Sequence, residues 1–181
     1  MYNYKKLTYS MIIALIVLML VVVGMMANFK GEVLNRNNIN QNKKNENNAN
    51  ENNANREKVL NIVNNFGSKL QLVSLLAPED TLKKSMQENY GSLVSDALIE
   101  KWIKDPLNAP GRLTSSPWPD RIEILSISKL SGDTYEVKGE IIEITSQEKG
   151  TQKAAARRPI TLIVKNKNGW RIENVTLSSY E

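Results

Sequence analysis

The sequence predicts an α+β domain that follows a transmembrane helix and a disordered linker. Three observations predict it: an uncharged apolar run near the N-terminus, an asparagine-rich stretch after it, and a later change from helical to strand-like apolar periodicity. We expect a short cytoplasmic N-terminus, a transmembrane helix, a disordered linker and an extracytoplasmic domain. Their predicted boundaries are residues 1–8, 9–29, 30–55 and 56–181.

The uncharged run of residues 9–29 is 21 residues long. At a rise of about 1.5 Å per residue, a helix of this length spans about 30 Å, the thickness of the hydrocarbon core of a bilayer. A cleaved signal peptide is the alternative, but cleavage after Ala27 would place Met25 where a small residue is preferred. We therefore expect the lipid bilayer to be the partner of this segment.

The orientation of the helix follows from charge and from the order of the parts. Lys5, Lys6 and the terminal amine favour a cytoplasmic N-terminus, although four basic residues between positions 30 and 44 nearly balance them. By analogy with other N-terminal anchors, the domain that follows is placed outside. The prediction is a single-pass protein of the plasma membrane with its C-terminal domain outside.

The linker is predicted from its composition. Twelve of residues 35–55 are Asn, and Ile39 is the one strongly apolar residue among them. Such a segment cannot bury enough surface to offset the entropy of ordering, so we expect a disordered spacer with a mean reach of about 25 Å. A self-associating Asn-rich segment is the alternative, and the interspersed charges argue against it.

Two or three helices are predicted at the start of the domain. Pro78 with two acidic residues after it marks one helix start, Ser95 is suited to cap another helix, and Pro106 ends that helix. The stripe of the first helix recurs at spacings of four and three residues and consists of Val59, Val63, Phe66, Leu70 and Val73.

Four strands are predicted after residue 120, because the apolar period falls to two in segments 121–130, 134–145, 158–166 and 170–178. Short turns join the first pair and the last pair, which indicates an antiparallel meander. In three of the segments the apolar residues change parity, which predicts bulges and a bent sheet. A pairing of Leu130 with Thr134 would bring Ile124 opposite Glu140.

The amino-acid composition limits the kinds of catalysis and metal binding that the protein can perform. The 181 residues contain no His and no Cys, which removes Ser-His-Asp and Cys-His catalysis and Cys/His metal ligation. Of the net charge of +5, residues 56–181 hold little, with eighteen Lys/Arg against sixteen acids. Nucleic-acid binding needs a concentrated basic face. We therefore predict no metal, no cofactor, no nucleic-acid partner and no catalytic residue.

The stretch 105–120, "DPLNAPGRLTSSPWPD", contains four of the six prolines. It is either a stiff corner between a helix and a sheet or part of a lip that contacts a ligand or a partner, since ligand sites favour concave mouths lined by aromatic residues. The residues proposed for that lip are Trp102, Arg112, Trp118, Tyr135 and Trp170.

Charged residues give two further candidate surfaces. Glu136, Glu140 and Glu143 lie on one strand and Glu123 lies on its neighbour. Since Glu136 and Glu140 share parity, we interpret them as a solvated face rather than as a paired-carboxylate site. The long loop between the second and third strands is rich in basic residues, which are either exposed to solvent or in contact with an acidic partner. Its residues are Lys149, Lys153, Arg157 and Arg158.

The order of elements resembles the cystatin-like cone folds, especially the nuclear-transport-factor-like superfamily. The segment "YGSLVSDALIEKW" before the sheet is similar to many bacterial extracytoplasmic members, and the whole chain is similar in plan to membrane-anchored assembly subunits of conjugation machines. The resemblance implies helices packed on a bent four-stranded sheet. It covers element order in residues 56–181 and carries no functional residue across.

The sequence thus favours a non-catalytic, extracytoplasmic interaction or scaffold module that binds a protein partner or a second copy of itself. An envelope or conjugation-type assembly is one setting that the resemblance implies. The alternative is a small-ligand-binding or enzymatic cone domain that uses its central cavity.

Overall fold

The computed structural model describes Leu15, residues 18–20 and residues 50–180. The predicted cytoplasmic N-terminus, most of the predicted transmembrane helix and residues 30–49 of the predicted linker lie outside the described residues. Within the described residues, no helix combines the length and the apolar character needed to cross a bilayer. The chain divides into two compact units, Met1–Asn52 and Asn53–Glu181, and the second contains the sheet and the helices described below, apart from the first three residues of the first helix.

The first helix, α1, occupies residues 50–69 of the described chain and continues into a 3₁₀ turn at Leu70–Leu72. The structure differs here from the predicted linker, because residues 50–55 are helical. Asn55 is buried, and the Arg56 guanidinium donates a hydrogen bond of 3.4 Å to the carbonyl oxygen of Ile127. Once a helix is nucleated and held, extending it by a turn costs little, so tertiary contact outweighs composition at this boundary.

Two shorter helices follow, α2 at Glu79–Tyr90 and α3 at Asp96–Lys104. Both begin at predicted positions, with Pro78 and Ser95 as the residues before them, although neither makes a side-chain capping bond. Acidic residues in the first turn of each helix complement the helix dipole. A 3₁₀ turn at Pro106–Asn108 follows α3.

The sheet has four antiparallel strands in the order β1-β2-β3-β4, as predicted. The α+β class and the meander are therefore confirmed. The strands are β1 at Trp118–Ser131, β2 at Thr134–Ile144, β3 at Ala156–Asn166 and β4 at Trp170–Leu177.

Two strands contain extra residues, as the parity changes predicted. The register between β1 and β2 shifts at three points, which leaves Asp120, Leu125 and Leu130 unpaired, and the register between β3 and β4 shifts so that Glu173 is unpaired. The pairing of β2 with β3 has no shift. Its apparent parity change arises because all four residues of 141–144 are buried, on both faces of the strand.

The predicted register across the first hairpin is correct for Ser126–Lys129 and fails on either side of that segment. At the turn, Ser131 rather than Leu130 is opposite Thr134. Beyond the shift at Leu125, Glu123 rather than Ile124 is opposite Glu140. The apolar pattern thus predicted a bulge in this strand but not the number of register shifts.

The helices cover one face of the sheet, and their apolar residues form one core with it. All five residues of the predicted α1 stripe are fully buried. At the centre, the ring of Phe66 lies 4.9 Å from that of Tyr90 and 6.2 Å from that of Trp102. The Tyr90 hydroxyl donates a hydrogen bond of 3.0 Å to the carbonyl oxygen of Pro110, and burial raises the pKa of Tyr90.

Ile122 of β1 fits between two glycines. A Cβ on Gly67 of α1 would lie 2.7 Å from the backbone nitrogen of Ile122. A Cβ on Gly139 of β2 would lie 2.5 Å from the carbonyl oxygen of Glu123 and 3.2 Å from the Ile122 side chain. These two glycines allow the helix and the neighbouring strand to approach β1 more closely than any side chain would permit.

Candidate functional site

A groove of about 410 Å³ lies between the end of α3 and the second half of β4. Its volume falls within the range of about 300–1,000 Å³ that is typical of small-ligand sites. We call it the α3–β4 groove. It is lined by Lys101, Trp102, Asp105, Asn108, Arg158 and residues 174–177.

The apolar part of the groove is held by the core. Trp102 is only 2% exposed, and its ring stacks on Phe66 and meets Tyr90 edge-on at 6.1 Å. Val175 and Leu177 are half-buried and pack against the same core. The floor is therefore part of the packed interior, which keeps it in one conformation.

Two cations line the groove without an ion pair. Within residues 50–180, neither Lys101 nor Arg158 forms a salt bridge. Asp105 is the third charged residue of the groove, and its carboxylate accepts a hydrogen bond of 2.6 Å from the Asn108 amide. The formal charge of the lining is thus one net positive.

The C-terminal segment holds Arg158 in place. Its Nε donates a hydrogen bond of 3.0 Å to the carbonyl oxygen of Ser178, and its guanidinium lies 5.1 Å from the ring centre of Tyr180. The Tyr180 hydroxyl donates in turn to Glu143 at 2.8 Å. Burial first, and then the bond to Glu143, raises the pKa of Tyr180, so that the hydroxyl remains a donor.

The five residues predicted for a lip do not form one surface. Trp102 lines the α3–β4 groove, whereas Tyr135 is buried and its ring meets that of Trp170 at 5.5 Å near the opposite end of β4. Trp118 begins β1 and pairs with Ile144. The lip prediction rests on residue type, but Trp102 and Tyr135 belong to the buried core of the domain.

Arg112, the fifth of these residues, has a structural role in the backbone. Its amide donates to the carbonyl oxygen of Val73 at 2.8 Å, and its carbonyl oxygen accepts from the amide of Leu75 at 2.9 Å. The contact joins the stretch 105–120 to the segment after α1. Most of that stretch is therefore a corner, while Asp105 and Asn108 at its start line the groove.

The four residues of the predicted basic loop are separated. Lys149 and Lys153 lie exposed in the connection between β2 and β3. Arg157 lies on β3, where one guanidinium nitrogen donates to Glu123 at 3.0 Å and to Glu140 at 2.6 Å. Arg158 lies in the groove, on the other side of the strand.

The strand carboxylates form an ion-pair network. Arg121 donates to Glu123 at 2.6 Å, and the hydrogen bonds from Arg121 and then from Arg157 lower the pKa of Glu123. A general acid needs a raised pKa, so this carboxylate is not poised to donate a proton at neutral pH. Among the described residues, no group of three acidic, His or Cys side chains could hold a metal ion.

Three buried polar atoms have no hydrogen-bond partner within the described chain: Arg112 Nε, Tyr135 Oη and Trp170 Nε1. Such atoms are uncommon in folded proteins, because an unpaired buried group costs free energy. Two of them belong to neighbouring rings, Tyr135 and Trp170. Sequence patterns gave no signal for this pair, since the rings come from non-adjacent strands.

Sequence reasoning also missed most of the groove. Lys101 lies in the last turn of α3, and Asp105 caps that helix through a bond from its amide to the Lys101 carbonyl oxygen. No local sequence pattern brings this end of α3 against Asn174 and Thr176 on the last strand. The α3–β4 groove depends on how the helix packs on the sheet.

No protein-family model matches the chain, and neither a curated protein nor a solved structure matches it. The functional argument therefore rests on the fold and on the groove.

Proposed function

We propose that this chain is a membrane-anchored, non-catalytic recognition module that binds a partner through the α3–β4 groove. One observation carries the proposal: Lys101 and Arg158, without an ion pair in residues 50–180, flank the apolar surface formed by Trp102 and its neighbours. The groove combines a small apolar surface with several convergent polar and charged groups, which is a composition suited to binding a partner. The absence of His and Cys from the sequence leaves few routes to acid–base or nucleophilic chemistry.

The anchor part of the proposal is supported by residues 9–29. Leu15, Leu18, Met19 and Leu20 are helical, and their side chains are exposed. At about 100° per residue, these four side chains span about 200° of the helix circumference. A helix that is apolar over more than one face is suited to lipid rather than to the surface of a folded domain.

In this proposal the N-terminus is cytoplasmic and the folded domain lies outside the plasma membrane. The Asn-rich residues between the anchor and α1 act as a spacer that sets the reach of the groove. An envelope assembly of the conjugation type is the setting that the element order favours. A second copy of the chain, bound through the outer face of the sheet, is the alternative partner.

We also propose that the domain is a cystatin-like cone of the nuclear-transport-factor-like kind. Three helices on one face of a four-stranded antiparallel meander, with extra residues in β1 and β4, support this assignment. An experimental structure of the domain tests it, because a flat sheet would overturn it.

A small-ligand-binding or enzymatic domain is the second candidate. The groove volume favours it, since about 410 Å³ is enough for a small molecule. Turnover of a small substrate by the purified domain, abolished by substitution of a groove residue, would replace the non-catalytic proposal.

Site-specific photo-crosslinking in native membranes tests the recognition proposal. A photoreactive residue at Asn174 lies in the groove, and one at Ser126 is a matched control, exposed on the opposite edge strand. We expect a discrete adduct from Asn174 that is lost when Arg158→Glu is added, and none from Ser126. Equal adducts from both positions, or recovery of intact full-length chain in the aqueous phase without detergent, would overturn the proposal.

A further inference from the structure

We infer that the α3–β4 groove binds a carboxylate group carried on an apolar body, an inference that rests on the proposed function of the groove as the recognition site. The carboxylate is that of a small organic acid or of a peptide C-terminus. Arg158 binds the carboxylate, and the Trp102 side of the groove binds the apolar body.

The donor geometry of Arg158 favours a carboxylate. Its Nε is already engaged by the Ser178 carbonyl oxygen, so within residues 50–180 the two terminal nitrogens are the donors that remain. These two nitrogens form a planar fork that matches the two oxygens of a carboxylate. The ring of Tyr180 against the guanidinium fixes the direction of the fork before the ligand arrives, which reduces the entropy lost on binding.

The charge of the groove favours a single negative charge. Lys101 adds a second cation, but Asp105 offsets one of the two, which leaves one net positive charge. A phosphate monoester carries a charge of about −1.5 to −2 at neutral pH and would meet the Asp105 carboxylate. A carboxylate carries one charge and is therefore the better match.

The remaining lining fits an apolar body with a few neutral polar groups. Val175 and Leu177, with the small exposed part of Trp102, supply apolar surface, and Asn174 and Thr176 lie beside them along the exposed edge of β4. A peptide C-terminus with an apolar last residue presents all of these features together. A free acid of the same chemistry presents the carboxylate and the apolar body alone.

Ligand-observed NMR titration of the full-length chain in uncharged nanodiscs tests the inference. The probes are N-acetyl-leucine, its neutral amide, phenyl phosphate, and a pentapeptide ending in Ala-Leu with a free or an amidated C-terminus. We expect both acids to bind and both amides to bind about tenfold or more weakly, since each loses the charge-assisted bonds to Arg158. Arg158→Gln should weaken acid binding about as much, whereas the control Lys83→Gln, exposed on α2 away from the groove, should leave it unchanged.

The outcomes distinguish a peptide C-terminus from a free acid as the ligand. They also distinguish failure of the carboxylate inference from failure of the proposed recognition function. Tighter binding of the free-ended peptide than of N-acetyl-leucine assigns the peptide, and equal binding assigns the free acid; both support the inference. Amides that bind as well as acids, or phenyl phosphate that binds better, would overturn it. If that happens while the Asn174 adduct still depends on Arg158, the carboxylate inference fails and the recognition function stands; loss of both removes the function.

Discussion

Glu123 on β1 lies directly opposite Glu140 on β2, and one guanidinium nitrogen of Arg157 donates hydrogen bonds to both carboxylates. Like charges that face each other across two strands repel. Arg157 comes from β3, so a single side chain joins three neighbouring strands on the face of the sheet away from the helices. The network links the β1–β2 pairing, which contains the bulges, to the regular β2–β3 pairing.

The first prediction concerns the substitution Arg157→Gln. The bonds from Arg121 and Arg157 lower the pKa of Glu123, so this carboxylate adds stability above its unfolded pKa of about 4.3 and loses that contribution as the pH falls through its lower folded pKa. The variant should therefore be less stable than the wild type at about pH 7 and nearly equal to it at about pH 3. Urea unfolding at both pH values measures this, with Lys149→Gln as a control. An equal loss of stability at both pH values would contradict the ion-pair explanation.

The second prediction compares two buried tyrosines. Tyr90→Phe removes the donor to the Pro110 carbonyl oxygen, which is then left buried and unpaired, so we expect a loss of about 1–3 kcal/mol. Tyr135→Phe removes a hydroxyl that has no partner in the described chain, so we expect a change of less than about 1 kcal/mol, neutral or stabilising. Denaturant unfolding of both variants measures the difference. A similar loss in the two variants would show that the Tyr135 hydroxyl has a partner.

The contrast between these two tyrosines indicates what the sequence can predict. Periodicity placed Tyr90 on the apolar face of α2 correctly, because one helix face is set by local spacing. Tyr135 was assigned to a lip because of its residue type, but its environment depends on Trp170, which follows two strands later. The face of a helix on which a residue lies follows from the local sequence, whereas the neighbours of a strand residue depend on how the whole sheet folds.

The α3–β4 groove likewise shows that local sequence patterns do not predict contacts between distant elements. Two of the elements that form it, α3 and β4, were predicted from apolar periodicity and from the residues that precede and end them. The contact between α3 and β4 was not predicted, because it depends on how the helix packs on a sheet whose bulges change the strand register. Lys101 and Arg158 are 57 positions apart, and only the folded chain places both on one groove.

The third prediction concerns Gly67→Ala. In an exposed helix this change would stabilise by about 1 kcal/mol, but here the added Cβ would lie 2.7 Å from the backbone nitrogen of Ile122. Overpacking against backbone costs about 1–3 kcal/mol, so the net effect should be destabilising. Gly132→Ala is the matched control, because nothing lies within 4 Å of the position that its Cβ would occupy, and we expect a change within about 0.5 kcal/mol. A stabilised Gly67→Ala variant would mean that α1 and β1 are not in close contact.

The fourth prediction concerns the start of the folded domain. Composition placed the boundary at residue 56, but residues 50–55 are helical and Asn55 is buried. A fragment of residues 56–181 loses that turn of α1 and begins at Arg56, whose side chain bonds to the Ile127 carbonyl oxygen. We expect its melting temperature to be lower than that of residues 50–181 by about 2–6 °C, the shift that a loss of about 1 kcal/mol produces in a domain of this size. Asn55→Ala in the longer fragment separates the contribution of this one side chain from that of the turn. Equal melting temperatures for the two fragments would place the boundary where composition alone puts it, because the extra turn would then add nothing to the stability of the domain.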